Sequence, residues 1–164
     1  MWSNGAGVER VLLTGMSGTG KSTVIRRLAA LGYRSVDLDY GGWTEVRPHE
    51  DGEETLWIED RVQRLLSSED AEVLFISGAA RNQTKFYRQF DHIVLLTAPT
   101  AVISERLRTR TNNPYGKDPP ELTRVLSLKE TVEPALRRAA DLIIDTNAPI
   151  DEVVQRIVGL LGAG

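Results

Sequence analysis

A glycine-rich segment near the start of the chain contains the residues whose types and spacing most clearly indicate chemistry. It reads Gly15-Met16-Ser17-Gly18-Thr19-Gly20-Lys21-Ser22 and fits the phosphate-binding pattern G-x-x-x-x-G-K-[ST] at every position. The glycines let backbone N–H groups turn toward a phosphate, Lys21 is placed to contact the β- and γ-phosphates, and the Ser22 hydroxyl is placed to ligate Mg²⁺. A plain glycine turn would not explain Lys21-Ser22. The motif predicts that ATP and Mg²⁺ bind through Gly15, Ser17, Gly18, Thr19, Gly20, Lys21, Ser22 and Thr23.

Two carboxylates follow the next apolar segment. Asp37 and Asp39 are two residues apart, so on a strand both would point to the same side, at the end where the glycine loop opens. One carboxylate near a triphosphate can support the Mg²⁺ shell, and the other can accept a proton from a substrate hydroxyl. We predict that Asp37 supports the metal and that Asp39 is the base. The reverse assignment stays open, and so does a simple turn-capping role for both.

Three arginines alternate just before a segment rich in proline, glycine and asparagine, in Glu105-Arg106-Leu107-Arg108-Thr109-Arg110. Phosphoryl transfer needs cations on the migrating group, and arginines at the base of a closing loop supply them. Arg106 and Arg110 share a helix face, so we predict that both act at the site, with Arg110 catalytic, and that Arg108 lies at the surface. Residues 111–120 are predicted to form a lid. The alternative is a solvated helix face with internal Glu–Arg pairing.

The region of about residues 40–66 is predicted to bind a phosphoryl acceptor. Residues 41–52 are polar and rich in turn formers, which predicts a loop, and residues 53–66 carry apolar residues at helical spacing. Four aromatic side chains lie in or near this region: Trp43, Trp57, Phe86 and Tyr87. They form either a wall for an organic acceptor or part of the core, and for Trp57 and Phe86 the core is favoured.

Apolar runs and helical patterns alternate along the chain, which predicts an α/β fold. Strands are predicted at residues 10–14, 33–39, 72–77, 92–97 and 141–145. Helices are predicted at residues 22–31, 53–66, around 85–87, 99–110, 121–139 and 150–161, and Pro134 could kink or split the fifth of these. Five parallel strands joined by helical crossovers form a three-layer α/β/α sandwich, in which the ligand lies at the carboxyl ends of the strands.

The composition limits the remaining possibilities. A chain of 164 residues with 41% hydrophobic residues suits one domain, here residues 1–164. It contains no cysteine, which excludes disulfides and thiolate metal sites. The net charge of −3 argues against a nucleic-acid partner. The first residues lack the pattern of a secretion signal and no apolar run approaches membrane-spanning length, so we expect a cytoplasmic protein without a membrane partner. The oligomeric state is left open.

Taken together, these residues resemble the small P-loop kinases grouped around shikimate kinase, gluconate kinase, adenylate kinase and chloramphenicol phosphotransferase. The resemblance covers residues 10–158 and includes the P-loop, Asp37-Leu38-Asp39, Ser77-Gly78-Ala79 and the ending Ala140-Asp141-Leu142-Ile143-Ile144-Asp145-Thr146. It implies a P-loop NTP hydrolase fold with sheet order 2-3-1-4-5.

The resemblance also implies roles for individual residues. Arg106 would stack on adenine from one side, and the loop Thr146–Pro149 would lie on the other, which makes Pro149 a nucleotide contact. Asp39 and the backbone of Gly78-Ala79 would contact the acceptor.

The chain departs from shikimate kinases at the positions that grip their substrate carboxylate or the phosphates. Their Phe-Arg pair corresponds here to Trp57-Ile58, and a second arginine, two residues before the proline of the last long helix, corresponds to Val132. Their lid begins Arg-Pro-Leu-Leu, where this chain has Asn113-Pro114-Tyr115-Gly116. The resemblance therefore implies an intact nucleotide side and a different acceptor.

These observations favour an ATP-dependent kinase that transfers the γ-phosphoryl group to a hydroxyl or phosphate of a small-molecule acceptor of unknown identity. The alternative is a P-loop ATPase or a nucleotide-binding regulatory protein without such an acceptor. Motor-type ATPases usually place an acid at the end of a hydrophobic strand, whereas residues 72–77 end in Ser77 and the carboxylates lie on the second strand. This arrangement favours transfer over hydrolysis.

Overall fold

The computed structural model describes residues 7–50, 52–109 and 117–162. Its centre is a parallel sheet of five strands: β1 (Glu9–Thr14), β2 (Arg34–Asp37), β5 (Val73–Ser77), β6 (His92–Thr97) and β7 (Leu142–Asp145). The strand order is β2-β5-β1-β6-β7. The predicted α/β fold is confirmed. The predicted order 2-3-1-4-5 counted sheet strands only, and the labels differ because two further strands lie between β2 and β5 in the chain.

Helices join the strands on both faces of the sheet. They are α1 (Lys21–Ala30), α2 (Glu59–Leu66), a 3₁₀ helix (Gln83–Gln89), α3 (Thr100–Thr109), α4 (Pro119–Ala139) and α5 (Ile150–Val158). The helix α4 is continuous through Pro134 rather than split there. Within the described ranges, none of these helices combines the length and apolar character needed to cross a membrane.

The core has one apolar cluster on each face of the sheet. Because side chains alternate along a strand, Leu12 and Ile76 join one cluster with residues of α2, and Leu13 and Phe75 join the other with residues of α1 and α5. A third cluster joins α3 to α4 around Ile103. The predicted three layers follow from this alternation.

The predicted loop at 41–52 and the start of the predicted helix at 53–66 are wrong. This stretch forms an antiparallel hairpin of β3 (Thr44–His49) and β4 (Gly52–Trp57), and helix begins only at Glu59. The pairing register runs from Thr44 opposite Trp57 to His49 opposite Gly52. Charged and turn-forming residues on both strands hid the pattern, because a largely exposed hairpin needs little apolar alternation.

Candidate functional site

The P-loop connects the central strand β1 to α1, and its glycines are required by geometry. Gly18 and Gly20 have φ values of 85° and 91°, in the left-handed region that favours glycine. At Gly15 a Cβ atom would lie 2.3 Å from the carbonyl oxygen of Leu96. The loop therefore passes so close to the end of β6 that a side chain at Gly15 is excluded.

Lys21 lies across the P-loop rather than pointing into solvent. Its Nζ atom donates to the carbonyl oxygens of Gly15 at 2.7 Å and Met16 at 3.0 Å, and only 7% of the residue is exposed. The Thr19 hydroxyl also donates to Met16, at 2.7 Å. The lysine charge is thus held over the concave side of the loop, where a phosphate would bind.

Ser22 and Asp37 meet at the start of α1. The Ser22 hydroxyl donates to Oδ2 of Asp37 at 2.8 Å, while Oδ1 of Asp37 accepts from the backbone N–H of Asp39 at 3.0 Å. Asp37 therefore has both a turn-capping contact and a contact with the P-loop serine. Turn capping by Asp37 is therefore present, and its predicted support of the metal stays a prediction.

A buried hydroxyl, that of Ser77, lies near the contact between Ser22 and Asp37 and bears on whether this corner of the site suits Mg²⁺. Ser77 is the residue of β5 opposite Asp37, so their side chains share one face of the sheet. Its Oγ atom is buried and has no hydrogen-bond partner among the described residues. Mg²⁺ and its water shell bind oxygen ligands. This corner offers three: the Ser22 hydroxyl, the Asp37 carboxylate and the Ser77 hydroxyl. The residues present fit the ion.

Asp39 lies in the turn after β2, not on the strand as predicted. The strand ends at Asp37, and Leu38 is fully buried between the two carboxylates. Asp39 nevertheless lines a cavity of about 440 Å³ together with Lys21 and Ser22. The two aspartates thus have different surroundings, which the spacing alone did not indicate.

Arg106 closes the other side of this cavity. One guanidinium nitrogen donates to the Thr146 hydroxyl at 2.8 Å and to the Gly18 carbonyl at 3.2 Å, and the other donates to the Thr146 carbonyl at 2.7 Å. The pKa of Arg106 is lowered overall, because the effect of burial outweighs the opposing effect of the Asp145 carboxylate. Arg106 is therefore anchored between the P-loop and the end of β7.

Some of the remaining predicted site residues line the cavity, and others do not. Ser17 and Thr23 line the cavity, and so do Ala148 and Ile150 on either side of the exposed Pro149. Arg108 lies at the surface, paired with Glu105. Arg110 and the lid segment up to residue 116 lie outside the described residues. Of the predicted lid, residues 117–120 are described, and Pro119 and Pro120 form the first turn of α4.

Sequence reasoning missed the threonines that tie the P-loop to the sheet. The Thr146 hydroxyl donates to the carbonyl of Thr19 at 2.8 Å and to that of Thr97 at 3.2 Å. The Thr97 hydroxyl donates to the buried carboxylate of Glu133 at 3.0 Å. A threonine at or just beyond the carboxyl end of an apolar strand was the available signal.

A buried amide connects the first strand to the 3₁₀ helix. Gln83 donates to the Thr14 hydroxyl at 3.1 Å and to the Tyr87 hydroxyl at 2.8 Å, and it accepts from the Ala80 N–H at 2.8 Å. Burial raises the pKa of Tyr87. Tyr87 is therefore part of a buried polar network and packs against the core rather than forming an open wall.

The region predicted to bind an acceptor, residues 40–66, contains an arginine that already has contacts within the protein. The guanidinium of Arg61 lies 4.5 Å from the ring centroid of Trp43 and donates to the carbonyls of Gly41 and Gly42. Trp57 and Phe86 are core residues, as favoured from the sequence, with ring centroids 5.8 Å apart.

A parallel sheet whose central strand leads into a P-loop, with a strand-end aspartate bonded to the P-loop serine, defines a nucleotide-binding protein of the small P-loop kinase type. The family model described as an AAA domain matches residues 11–134. A shikimate kinase of Geobacter metallireducens is 30% identical, over 94% of this chain and 92% of that protein. The chain therefore belongs to the AAA domain family and to the shikimate kinase group of P-loop proteins.

Solved structures show the same fold. A shikimate kinase from Acinetobacter baumannii in complex with shikimate has a TM-score of 0.65 at 24% identity and covers 94% of this chain and 93% of that one. A gluconokinase from Sinorhizobium meliloti has a TM-score of 0.61 at 20% identity and covers 92% of this chain and 90% of that one.

Another relative is named only by what it binds. A nucleotide-binding protein of Acidiphilium cryptum is 27% identical over 94% of this chain, and the match spans 50% of that protein's own length. This chain therefore spans about half the length of that relative.

Proposed function

We propose that this protein is an ATP- and Mg²⁺-dependent kinase that transfers the γ-phosphoryl group to a hydroxyl or phosphate of a small-molecule acceptor. One observation carries the proposal. Asp39, a carboxylate outside the P-loop motif, lines the same cavity as Lys21 and Ser22 of the P-loop. A base within reach of the phosphate site suits transfer to an acceptor hydroxyl.

Each residue of the cleft has its own proposed role. Lys21 and the P-loop amides hold the phosphates, and Ser22 and Asp37 hold the metal, which supplies neutralisation of phosphate charge when bound. Asp39 accepts the proton of an acceptor hydroxyl. The hydroxyl oxygen bonds to the γ-phosphorus as the bond between that phosphorus and the leaving ADP oxygen breaks. Arg106 contacts the nucleotide beside Thr146, and Arg110 is proposed to contact the phosphates.

The acceptor is proposed to be neutral or cationic rather than a carboxylate. Ile58 and Val132 occupy the two positions at which the resemblance places gripping arginines. Arg61 and Arg137, the neighbouring arginines, are engaged with loop carbonyls and with Glu133 respectively. A substrate carboxylate bound here would lack its cationic partners, which weakens its binding. A polyol or an amino sugar is compatible with this region.

A second candidate is a P-loop ATPase or nucleotide-binding regulatory protein without a small-molecule acceptor. The naming of several relatives as nucleotide-binding proteins favours it. Under either candidate we propose a cytoplasmic protein without a nucleic-acid or membrane partner, in line with its net charge of −3.

Release of ADP from ATP and Mg²⁺, measured with and without acceptors, separates the two candidates. The panel contains nucleosides, sugars, sugar acids and aminoglycosides, and phosphorylated products are identified by phosphorus NMR. We expect at least one compound to raise ADP release saturably and to become phosphorylated, with the effect lost in Asp39→Asn. ADP release that no compound changes, and that Asp39→Asn leaves intact, would favour the ATPase instead.

A further inference from the structure

Arg26 lines the cavity of the P-loop, although the P-loop motif does not include it. Among the described residues, the lining of this cavity has three cationic side chains, those of Lys21, Arg26 and Arg106. Lys21 bonds to carbonyl oxygens of the P-loop, and Arg106 bonds to the P-loop and to the end of β7. Arg26 has no hydrogen bond or ion pair with any described residue. Its guanidinium donors are therefore available to a ligand.

The position of Arg26 on α1 brings its charge toward the phosphate end of the helix. Arg26 follows Ser22 by one helical turn, so both residues lie on one side of α1. Side chains of an α-helix point back toward its N-terminus, which is where the P-loop ends at Gly20. Arg26 therefore covers the turn that contains Ser22 and Thr23.

A second cavity shows on which side of α1 this arginine lies. The cavity has a volume of about 330 Å³, and residues of α1 and of the segment from Ser35 to Tyr40 line it, Asp37 among them. Arg26 and Tyr40 line both cavities, so they lie where the two meet. This is the side of the helix on which Ser22 bonds to Asp37.

The phosphoryl acceptor competes with the nucleotide as the ligand of Arg26, because the proposed base Asp39 lines the same cavity. Among the described residues, however, neither cavity is lined by the hairpin of β3 and β4, which belongs to the region predicted to bind the acceptor. The turn that Arg26 covers carries Ser22 and Thr23, which the motif assigns to the nucleotide. These observations favour the phosphates.

We propose that Arg26 binds the polyphosphate chain of the nucleotide from the solvent-facing side of α1. This inference rests on the nucleotide-binding part of the proposed function and adds a residue to it. A guanidinium presents its donors in a planar fork that fits two phosphate oxygens, and such charge-assisted hydrogen bonds are stronger than neutral ones. Arg26 thus adds a positive charge on the side of the phosphates opposite the buried Lys21.

Two neighbouring arginines of α1 provide a matched pair of variants. Arg26→Met removes the charge and keeps an apolar stem, and Arg27→Met does the same at the next residue, which is paired with Asp151 at the surface. Calorimetry gives the Kd of ADP and of a non-hydrolysable ATP analogue with Mg²⁺ and without an acceptor. We expect Arg26→Met to raise both Kd values about 5- to 10-fold, and Arg27→Met to change them less than about twofold. Arg26→Lys keeps the charge and should lose less affinity than Arg26→Met.

Two further measurements separate a direct contact from a structural effect. Salt screens exposed charges, so the Kd ratio between Arg26→Met and the unchanged protein should fall toward one as NaCl rises from about 0.05 M to about 0.5 M. Inorganic tripolyphosphate has neither base nor ribose, and its Kd should rise by the same factor as that of the ATP analogue. The melting temperature of both methionine variants should change little, because both arginines are exposed.

An unchanged Kd of the ATP analogue in Arg26→Met at low salt would overturn the inference, and so would a rise that tripolyphosphate does not share. A rise confined to the KM of an acceptor would also overturn it and assign Arg26 to the acceptor. Binding is measured without turnover. A protein that binds the nucleotide through Arg26 but phosphorylates nothing therefore refutes the kinase proposal and leaves this inference in place.

Discussion

The nucleotide side and the acceptor side of the cleft are built in different ways. On the nucleotide side, hydrogen bonds from Arg106 and Thr146 join the P-loop to β6 and β7. On the proposed acceptor side, the hairpin is mostly exposed, and the buried Nε1 of Trp57 has no partner among the described residues. Each side thus keeps a buried polar group without such a partner, and on the nucleotide side it is the Ser77 hydroxyl beside the proposed metal site.

The segment Asp37-Leu38-Asp39 belongs to both sides. Asp37 bonds to the P-loop serine, Leu38 packs into the cluster that contains Trp57, and Asp39 lines the cavity. Three consecutive residues thus couple the metal corner, the core and the proposed base. The nucleotide side can stay constant while the acceptor side changes, provided that this segment keeps its position.

The largest expected effect concerns shikimate. Val132 is 37% exposed and Ile58 is partly exposed, so each missing cation costs about as much as a lost charged hydrogen bond, about 1.5–3 kcal/mol, and the two together should weaken shikimate binding about 10³-fold. We expect no shikimate-dependent ADP release at millimolar concentration, while the same sample binds ATP. Calorimetry with an ATP analogue provides the control for a competent nucleotide side.

Saturable turnover of shikimate at submillimolar concentration would contradict this expectation. It would mean that Arg61 leaves the carbonyls of Gly41 and Gly42, or that Arg137 leaves Glu133, to hold the substrate. Substitution of each arginine by methionine would then show which of them moved.

The next effect isolates the nucleotide side. Lys21→Ala removes the cation on the transferring group, which typically costs about 3–4 kcal/mol of transition-state stabilisation and lowers kcat at least a hundredfold. Since the two hydrogen bonds of Nζ go to the loop carbonyls of Gly15 and Met16, the melting temperature should change by only a few degrees. A folded Lys21→Ala protein with unchanged transfer would refute the role of this lysine.

The same contrast explains how much could be predicted. The P-loop is local: eight consecutive residues specify the turn, the helix start and the chemistry, and the apolar runs before Thr14 and Thr97 specify buried strands. The partners that hold Arg106 could not be predicted with equal certainty. Its contact with Thr146 joins residues 40 positions apart, which no local pattern encodes.

The acceptor side was predicted poorly for a physical reason. In the hairpin, Arg47 lies opposite Glu54 and Glu45 opposite Leu56, so stability comes from backbone pairing and cross-strand contacts rather than from an apolar face. The Leu56-Trp57 pair then resembles the start of a helical stripe. Trp57 was correctly favoured as core, but its unpartnered N–H is visible only in three dimensions.

Substitution of the two carboxylates should have different kinetic effects, because Asp39 is the proposed base and Asp37 the proposed metal support. Asp39→Asn keeps the size of the side chain but cannot accept a proton, so kcat should fall about a hundredfold with ATP affinity little changed. Asp37→Asn weakens the contact with Ser22 and should raise the Mg²⁺ concentration needed for half-maximal activity. If Asp39→Asn instead weakens nucleotide binding and spares kcat, the two roles are exchanged.

The smallest expected effect tests whether the anchoring of Arg106 matters on its own. Arg106→Met removes hydrogen bonds to Thr146 and Gly18, and hydrogen bonds of charged groups contribute about 1.5–3 kcal/mol each, part of which methionine packing offsets. We expect the KM for ATP to rise about tenfold, with the KM for the acceptor nearly unchanged. Arg108→Met is the matched control, because this residue lies two positions away on the same helix and pairs only at the surface with Glu105. Steady-state kinetics that vary each substrate in turn distinguish the outcomes. An equal rise in both KM values for Arg106→Met would show that the two sides of the cleft are coupled through the end of β7, and that the nucleotide side is not independent of the acceptor.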